Sequence, residues 1–395
     1  MKFLCHLAIV ALQVLPCPAE PVALFPPPRN EGNLAKVPRY LRNRCTPELR
    51  LAAIQSRGGN PAAEQAVIDA LRFLKDTQDE NGSWAFGRPV GMTSLALLCF
   101  LGHGETTQSE EFGSTVKEAM QFLIDTAVKH RGKLALDPRY KKWTYQHAIG
   151  TYALAEAYAL CRQGRGEEIP QLKRAVEVCG QIIINSQHQS GGWDYQYSED
   201  NGRGGDVSQT TWHLLALKAC RLTDCTYATI VRSSKNGLDY IERMQMVSGA
   251  IGYSSPNRWA NQDGTTLTAL GATCFQIWDS PASRVARKAV RFIDTEMKFD
   301  WNSPDSDLYG LFFASQTMFR NGGPEWERYQ KMVFPQVLEN QAPGGFFLAP
   351  NHGEIATIRA LNGYYALATP ASVHYRTCLA TLTLETYYRI RFPTP

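Results

Sequence analysis

From about residue 61 onward, apolar residues recur at a spacing near 3.6, and little of the chain alternates with the period of two that a strand requires. Helices of this kind alternate with Gly-rich loops. Two classes of helix take turns. One is amphipathic and begins near Ala62, Phe112, Gln171, Thr226, Ser283 and Pro324. The other is apolar on almost every face and begins near Met92, His147, Ser208, Thr265, Leu308 and Thr377. A helix that is apolar all round is a buried one. Six buried helices ringed by six amphipathic ones predict an all-α fold, an (α/α)6 toroid. An open solenoid would expose its last apolar run, Cys378–Tyr388, so a closed ring is expected.

The loops repeat a spelling. Gln78, Gly82 and Trp84 share the pattern Q-x3-G-x-W with Gln187, Gly191 and Trp193. Two looser copies follow: Gln245 with Gly249, Gly252 and Tyr253, and Gln341 with Gly344, Gly345 and Phe346, the last one residue short. The glutamine amide can satisfy backbone groups left open at a helix end. The glycine supplies a positive-φ turn. The aromatic ring packs across the turn. A repeat of about 50 residues built this way reads as stacked helical hairpins.

Ahead of the repeats lie two further segments. Residues 1–19 have a charged start, an apolar middle and small residues before a break, the pattern of a secretory signal peptide cleaved after Ala19. An exported protein, periplasmic or secreted, is expected. Residues 20–60 form a Pro- and Arg-rich arm with one helix near Pro47–Gln55, and residues 61–395 form the toroid. The chain has 395 residues, 44% hydrophobic and 20% charged, with a net charge of +4, which excludes a disordered chain and is too even to suggest a nucleic-acid partner. No stretch of 18 apolar residues follows the leader, so no transmembrane span is expected. Of the ten cysteines, Cys99, Cys161, Cys179, Cys220, Cys274 and Cys378 sit in apolar helical patterns and read as core residues. Export permits disulfides, and Cys220 with Cys225 could close a short loop.

The two Gln–Trp loops, with Tyr145–Tyr158 and Leu379–Tyr388, resemble the prenyltransferase and squalene-oxidase repeat family over residues 62–392. That group contains triterpene cyclases and protein prenyltransferase β subunits, and the chain looks most like its exported bacterial members of unassigned function. The resemblance implies the toroid. It also supplies motifs to test. The D-x-D-D of protonating cyclases is missing, Asp305-Ser306-Asp307-Leu308 being the nearest approach, and D-D-x-x-D is absent. The zinc elements of prenyltransferases map onto Asp307-Leu308-Tyr309 and Tyr375-Arg376-Thr377-Cys378. A phenol and a guanidinium then replace a thiolate and an imidazole, so no metal and no cofactor are expected. An ion pair between Asp307 and Arg376, with Tyr309 nearby at the toroid mouth, is the expected substitute.

Other polar residues gather where inner helices begin, among them Asp206, Ser208, Asp263, Thr266 and His374; helix capping accounts for most of them. His147 stands apart, between Trp143-Thr144-Tyr145 and an apolar helix. It is read as a hydrogen-bonded core residue or as a general acid–base group. Together Trp143, Tyr145, His147, Trp212, Asp307, Tyr309, His374 and Arg376 form the candidate ligand-binding set, with His147, Asp307 and Tyr309 the catalytic candidates should the protein be an enzyme. Three function classes remain open: a binding module for an isoprenoid, lipid or polymeric ligand; an isoprenoid- or lipid-modifying enzyme of the cyclase or mutase kind; and a carbohydrate-active α/α-barrel enzyme. The loop Ala342–Pro350 could make peripheral membrane contact.

Overall fold

The computed structural model describes residues 34, 36–84, 88–139, 142–197, 204–256, 264–303, 306–348 and 370–390. The leader, residues 20–33 of the arm, Asp263 and Asp305 lie outside the described residues. Arm helix α1 spans Pro47–Ser56, with Thr46 accepting the Leu49 N–H as its cap and Pro47 at the first position. Outer helices are α2 (Ala62–Asp76), α4 (Gly113–Lys129), α6 (Leu172–Asn185), α8 (Ile230–Arg243), α10 (Arg284–Glu296) and α12 (Gly323–Glu339). Inner helices are α3 (Pro89–His103), α5 (Trp143–Ala157), α7 (Val207–Arg221), α9 (Thr265–Trp278), α11 (Leu308–Asn321) and α13 (Pro370–Leu384). A short α14 (Thr386–Arg389) follows, and a π-helical turn, Tyr158–Gly164, extends α5. The described residues contain no strand, only three isolated bridges.

Burial explains the two classes. On α10 only Val285, Ala286, Ala289, Val290 and Ile293 are buried, one stripe of the helix. On α9 every residue from Thr265 to Gln276 is buried. Each inner helix packs on the next, and α13 packs back on α3, so the ring is closed. The expected starts hold within three residues, except that α5 begins four residues before His147, α8 four after Thr226 and α13 seven before Thr377.

The repeat loops are the locks between hairpins. In each, the glutamine Nε2 donates to the glycine carbonyl of its own loop and to a carbonyl in the first turns of the next outer helix. Gln78 reaches Gly82 (2.9 Å) and Thr115 (3.1 Å), and Gln187 reaches Gly191 (2.7 Å) and Ser233 (2.8 Å). Gln245 reaches Gly249 (3.2 Å) and Val285 (3.0 Å). Gln341 reaches Gly345 (2.9 Å) and Ala66 (2.7 Å), which ties the last repeat to the first. A Cβ on Gly82 would lie 2.4 Å from the Glu118 carbonyl oxygen, and Gly82 has φ +81°, so no other residue fits.

This register corrects two readings. The buried apolar residue of the third copy is Ile251, not Tyr253, and that of the fourth is Phe347, not Phe346. The fourth copy is therefore full length. In all four, the N–H of that residue donates to a threonine in the first two turns of the inner helix: Trp84 to Thr93, Trp193 to Thr210, Ile251 to Thr268 and Phe347 to Thr377.

The cysteines correct a third reading. All eight from Cys45 to Cys378 carry free thiols. Cys220 is packed within α7, while Cys225 lies in the turn where Thr223 Oγ1 accepts its N–H (3.2 Å).

Hairpin connectivity makes all six inner helices run in one direction. Their C-terminal end is closed by the arm and α14. Arg44 donates to Glu156 (3.0 Å), to the Leu101 carbonyl (3.4 Å) and to the Arg389 carbonyl (3.1 Å). Arg50 donates to Glu64 (2.6 Å) and to the His103 carbonyl (3.0 Å). The arm is thus a stopper pinned by buried arginines. Beside it Glu385 is fully buried, and burial pushes its carboxyl well above the usual carboxylate range.

Candidate functional site at the toroid mouth

The opposite end, where the inner helices begin, gathers polar and aromatic side chains. Asp206 caps α7: its Oδ1 accepts the Gln209 N–H (2.8 Å) and the Ser208 hydroxyl (2.7 Å). Ser208 Oγ is in turn hydrogen-bonded to the Tyr145 hydroxyl. Asp307 caps α11 in the same way, accepting the Tyr309 N–H (3.0 Å) and the Thr266 hydroxyl (2.7 Å). Trp212 reaches across the barrel, donating its indole N–H to the Tyr309 hydroxyl (2.9 Å) and packing on Phe312 and Phe313 at 6.3 and 5.3 Å. Tyr195 stacks at a tilt on Tyr145 (5.7 Å) and is hydrogen-bonded to Tyr253.

This end therefore gathers hydroxyl groups and packed aromatic rings. Burial, then the neighbouring Tyr195 and Asp206, holds the Tyr145 phenol well above its ordinary pKa. Burial does the same for Tyr309. Both stay neutral and serve as hydrogen-bonding groups. Asp206 and Asp307 each give an oxygen to a helix cap.

The candidate set is only partly brought together. Tyr145, Trp212, Tyr309 and Asp307 converge, while Arg376 is fully buried with its guanidinium 5.0 Å from the centre of the Trp301 ring. The expected Asp307–Arg376 ion pair is not among those of the described residues. His374 faces α2, bonded to Thr77 Oγ1 (2.8 Å) and packed on Phe73 at 5.2 Å. Among the described residues no cluster of His, Cys, Asp or Glu has the make-up of a metal site.

His147 is accounted for by the repeat. Its Nδ1 accepts the Leu134 N–H (3.1 Å), the bond that threonine makes in the other loops. Its Nε2–H points to the Cys179 carbonyl (3.2 Å). Both ring nitrogens are engaged. Burial lowers its pKa to about 3. His213, hydrogen-bonded to the Gln209 carbonyl (2.7 Å) and the Tyr197 hydroxyl (2.8 Å), is likewise lowered to about 3.

These histidines predict a pH dependence. The unfolded chain takes up protons below pH ~6.5, whereas the folded one refuses them until pH falls near 3, so stability is lost across that window as pH drops. At pH 5 each histidine accounts for about 2 kcal/mol of that loss. Urea midpoints should fall between pH 7 and 5, and the slope should shrink in His213→Gln. An unchanged slope in that variant would contradict the neutral buried state.

Tyr195 and Tyr253 were not among the sequence candidates. Each stands two residues after the buried residue of its loop, Trp193 or Ile251, and that spacing was the available signal.

No family model matches the sequence, and no curated protein matches it. Solved structures do. The type II terpene cyclase MstE from Scytonema, in a variant bound to geranylgeranyl dihydroxybenzoate, is 12% identical with TM-score 0.55, over 82% of this chain and 97% of that one. An inactive variant of an α-1,6-mannanase of Salegentibacter sp., bound to α-1,6-mannotriose, is 9% identical with TM-score 0.57, over 83% and 99%. A protein from Actinoplanes is 14% identical with TM-score 0.50, over 82% and 98%. The chain is an α/α toroid. At these identities the likeness is one of fold alone.

Proposed function

We propose that the mouth of this toroid binds an amphipathic ligand of the isoprenoid or lipid class, its apolar chain against the aromatic rings and its polar end among the hydroxyls. One observation carries the reading: at the end where the inner helices begin, Trp212 packs on Tyr309, Phe312 and Phe313, and the same end holds the hydrogen-bonded hydroxyls of Tyr145, Ser208 and Thr266. Apolar sites with a few placed polar groups suit such ligands. The role is binding rather than conversion. The chain lacks D-x-D-D, and among the described residues Asp206 and Asp307 act as helix caps. The cyclase of the same fold holds a geranylgeranyl compound, which fits a ligand of this class. The mannanase was inactivated at two adjacent aspartates, and this chain has no Asp-Asp pair, which speaks against a sugar hydrolase of that kind. The leader at residues 1–19 supports export, tested by finding Glu20 at the N-terminus of the mature protein.

Calorimetric titration with geranylgeraniol tests the reading, with α-1,6-mannotriose as control. Saturable binding of the alcohol alone is expected, weakened about tenfold in Tyr309→Phe, which removes one hydroxyl and its bond to Trp212. Binding of mannotriose in its place, or an alcohol affinity untouched by that change, would overturn it.

A further inference from the structure

Outside the mouth, a surface cavity of about 500 Å³ opens between the loop that precedes α5 and the loop that follows α6. Among the described residues that line it, Lys133 and Arg139 are the ionisable groups besides Tyr197, and Asn185, Ser186 and Gln196 add neutral donors and acceptors. None of the described residues that line it is a carboxylate. The segment that supplies one wall is basic: residues 129–139 hold Lys129, Arg131, Lys133 and Arg139 against a single acid, Asp137. The chain as a whole carries only +4, so this segment is a local concentration of positive charge.

Lys133 has no carboxylate partner among the described residues, whereas Arg139 is ion-paired with Asp137. The Lys133 ammonium stands 5.6 Å from the centre of the Trp143 ring, which is itself fixed edge-on to Tyr197 at 4.9 Å. Arg139 shares Asp137 (2.9 Å) but remains 91% exposed, so its guanidinium can turn to a second anion.

The geometry points to a second binding site here, one for an acidic oligosaccharide. Carboxylates of the sugar meet Lys133 and Arg139, and its hydroxyls meet the side-chain amides of Asn185 and Gln196 and the hydroxyl of Ser186. A volume of this size belongs to sites for small molecules and short chain segments. A single-stranded nucleic acid is disfavoured because stacking needs an exposed ring face. Trp143 is only 5% exposed and lies under the lysine. A lipid surface is disfavoured because the site is concave and its charged groups line a recess.

Fluorescence anisotropy with labelled tetragalacturonate tests this on the mature protein. Saturable binding that weakens with added salt is expected. Lys133→Gln and Arg139→Gln should each lower affinity about tenfold, the loss of one charge-assisted contact. Arg287→Gln, an exposed change on α10, should leave it unchanged. Unaltered melting of all three variants separates lost contact from lost fold. The proposal is overturned if tetragalacturonate does not bind, if neutral mannotetraose binds as well, or if the two groove variants bind like the parent. It is equally overturned if anionic vesicles or oligodeoxythymidylate bind through these residues and the saccharide does not. None of these outcomes depends on whether the mouth binds geranylgeraniol.

Discussion

Trp193→Ala is expected to lower the stability of the protein by about 3–5 kcal/mol. The indole is fully buried and donates to the Ile183 carbonyl (2.8 Å), the last turn of the outer helix it follows. It also stacks on His213 at 5.3 Å, so its loss opens a cavity where the loop, α6 and α7 meet. Gly237 comes within 3.0 Å of the same ring through its virtual Cβ, which shows that α8 is packed on it as well. Truncation therefore loosens two hairpins at once. Urea unfolding measures it. A loss below about 1 kcal/mol would mean that the motif does not lock the ring.

Arg44→Ala is expected to cost a comparable 3–5 kcal/mol, roughly the penalty for stranding one partner of a buried ion pair. Glu156 would be left in the closed end, its carboxylate now held mainly by Arg389 at 4.0 Å. Two backbone carbonyls, Leu101 and Arg389, would lose a donor. In the parent, burial alone would raise the Glu156 pKa, but Arg44 and then Arg389 outweigh it and hold the carboxyl below the usual range. In the variant Arg389 and Tyr152 are left to oppose burial. The double variant Arg44→Met with Glu156→Leu should regain much of the loss, since an apolar pair strands no charge. Equal stability of the single and double variants would show that the arm's contribution is packing and not the ion pair.

The ring was legible because its logic is local and repeated. Gln78, Gly82 and Trp84 are close together in sequence, and their copies bond the same way, so one spelling exposes the lock between hairpins. Apolar-all-round helices such as α9 declare their burial by composition alone. The stopper was not legible. Arg44 and Glu156 are 112 residues apart, and a Pro- and Arg-rich arm reads as surface until a partner for each guanidinium is found. His147 illustrates the opposite difficulty. Its neighbours Trp143 and Tyr145 suggested chemistry, whereas its ring does the work of a threonine in a degenerate copy of the loop. Asp307 and Arg376 were paired by resemblance to a zinc site, but the chain turns Arg376 onto Trp301 and leaves Asp307 to cap α11. The mouth needed the fold, because Tyr145, Trp212 and Tyr309 come from three inner helices and meet only when the ring closes.

Native mass spectrometry of the mature protein, purified gently from its own host with lipid extraction alongside, tests the central claim most directly. The account predicts a co-purifying isoprenoid or lipid that is displaced by geranylgeraniol and depleted in Tyr309→Phe. A protein that emerges empty and then refuses geranylgeraniol in titration would contradict it.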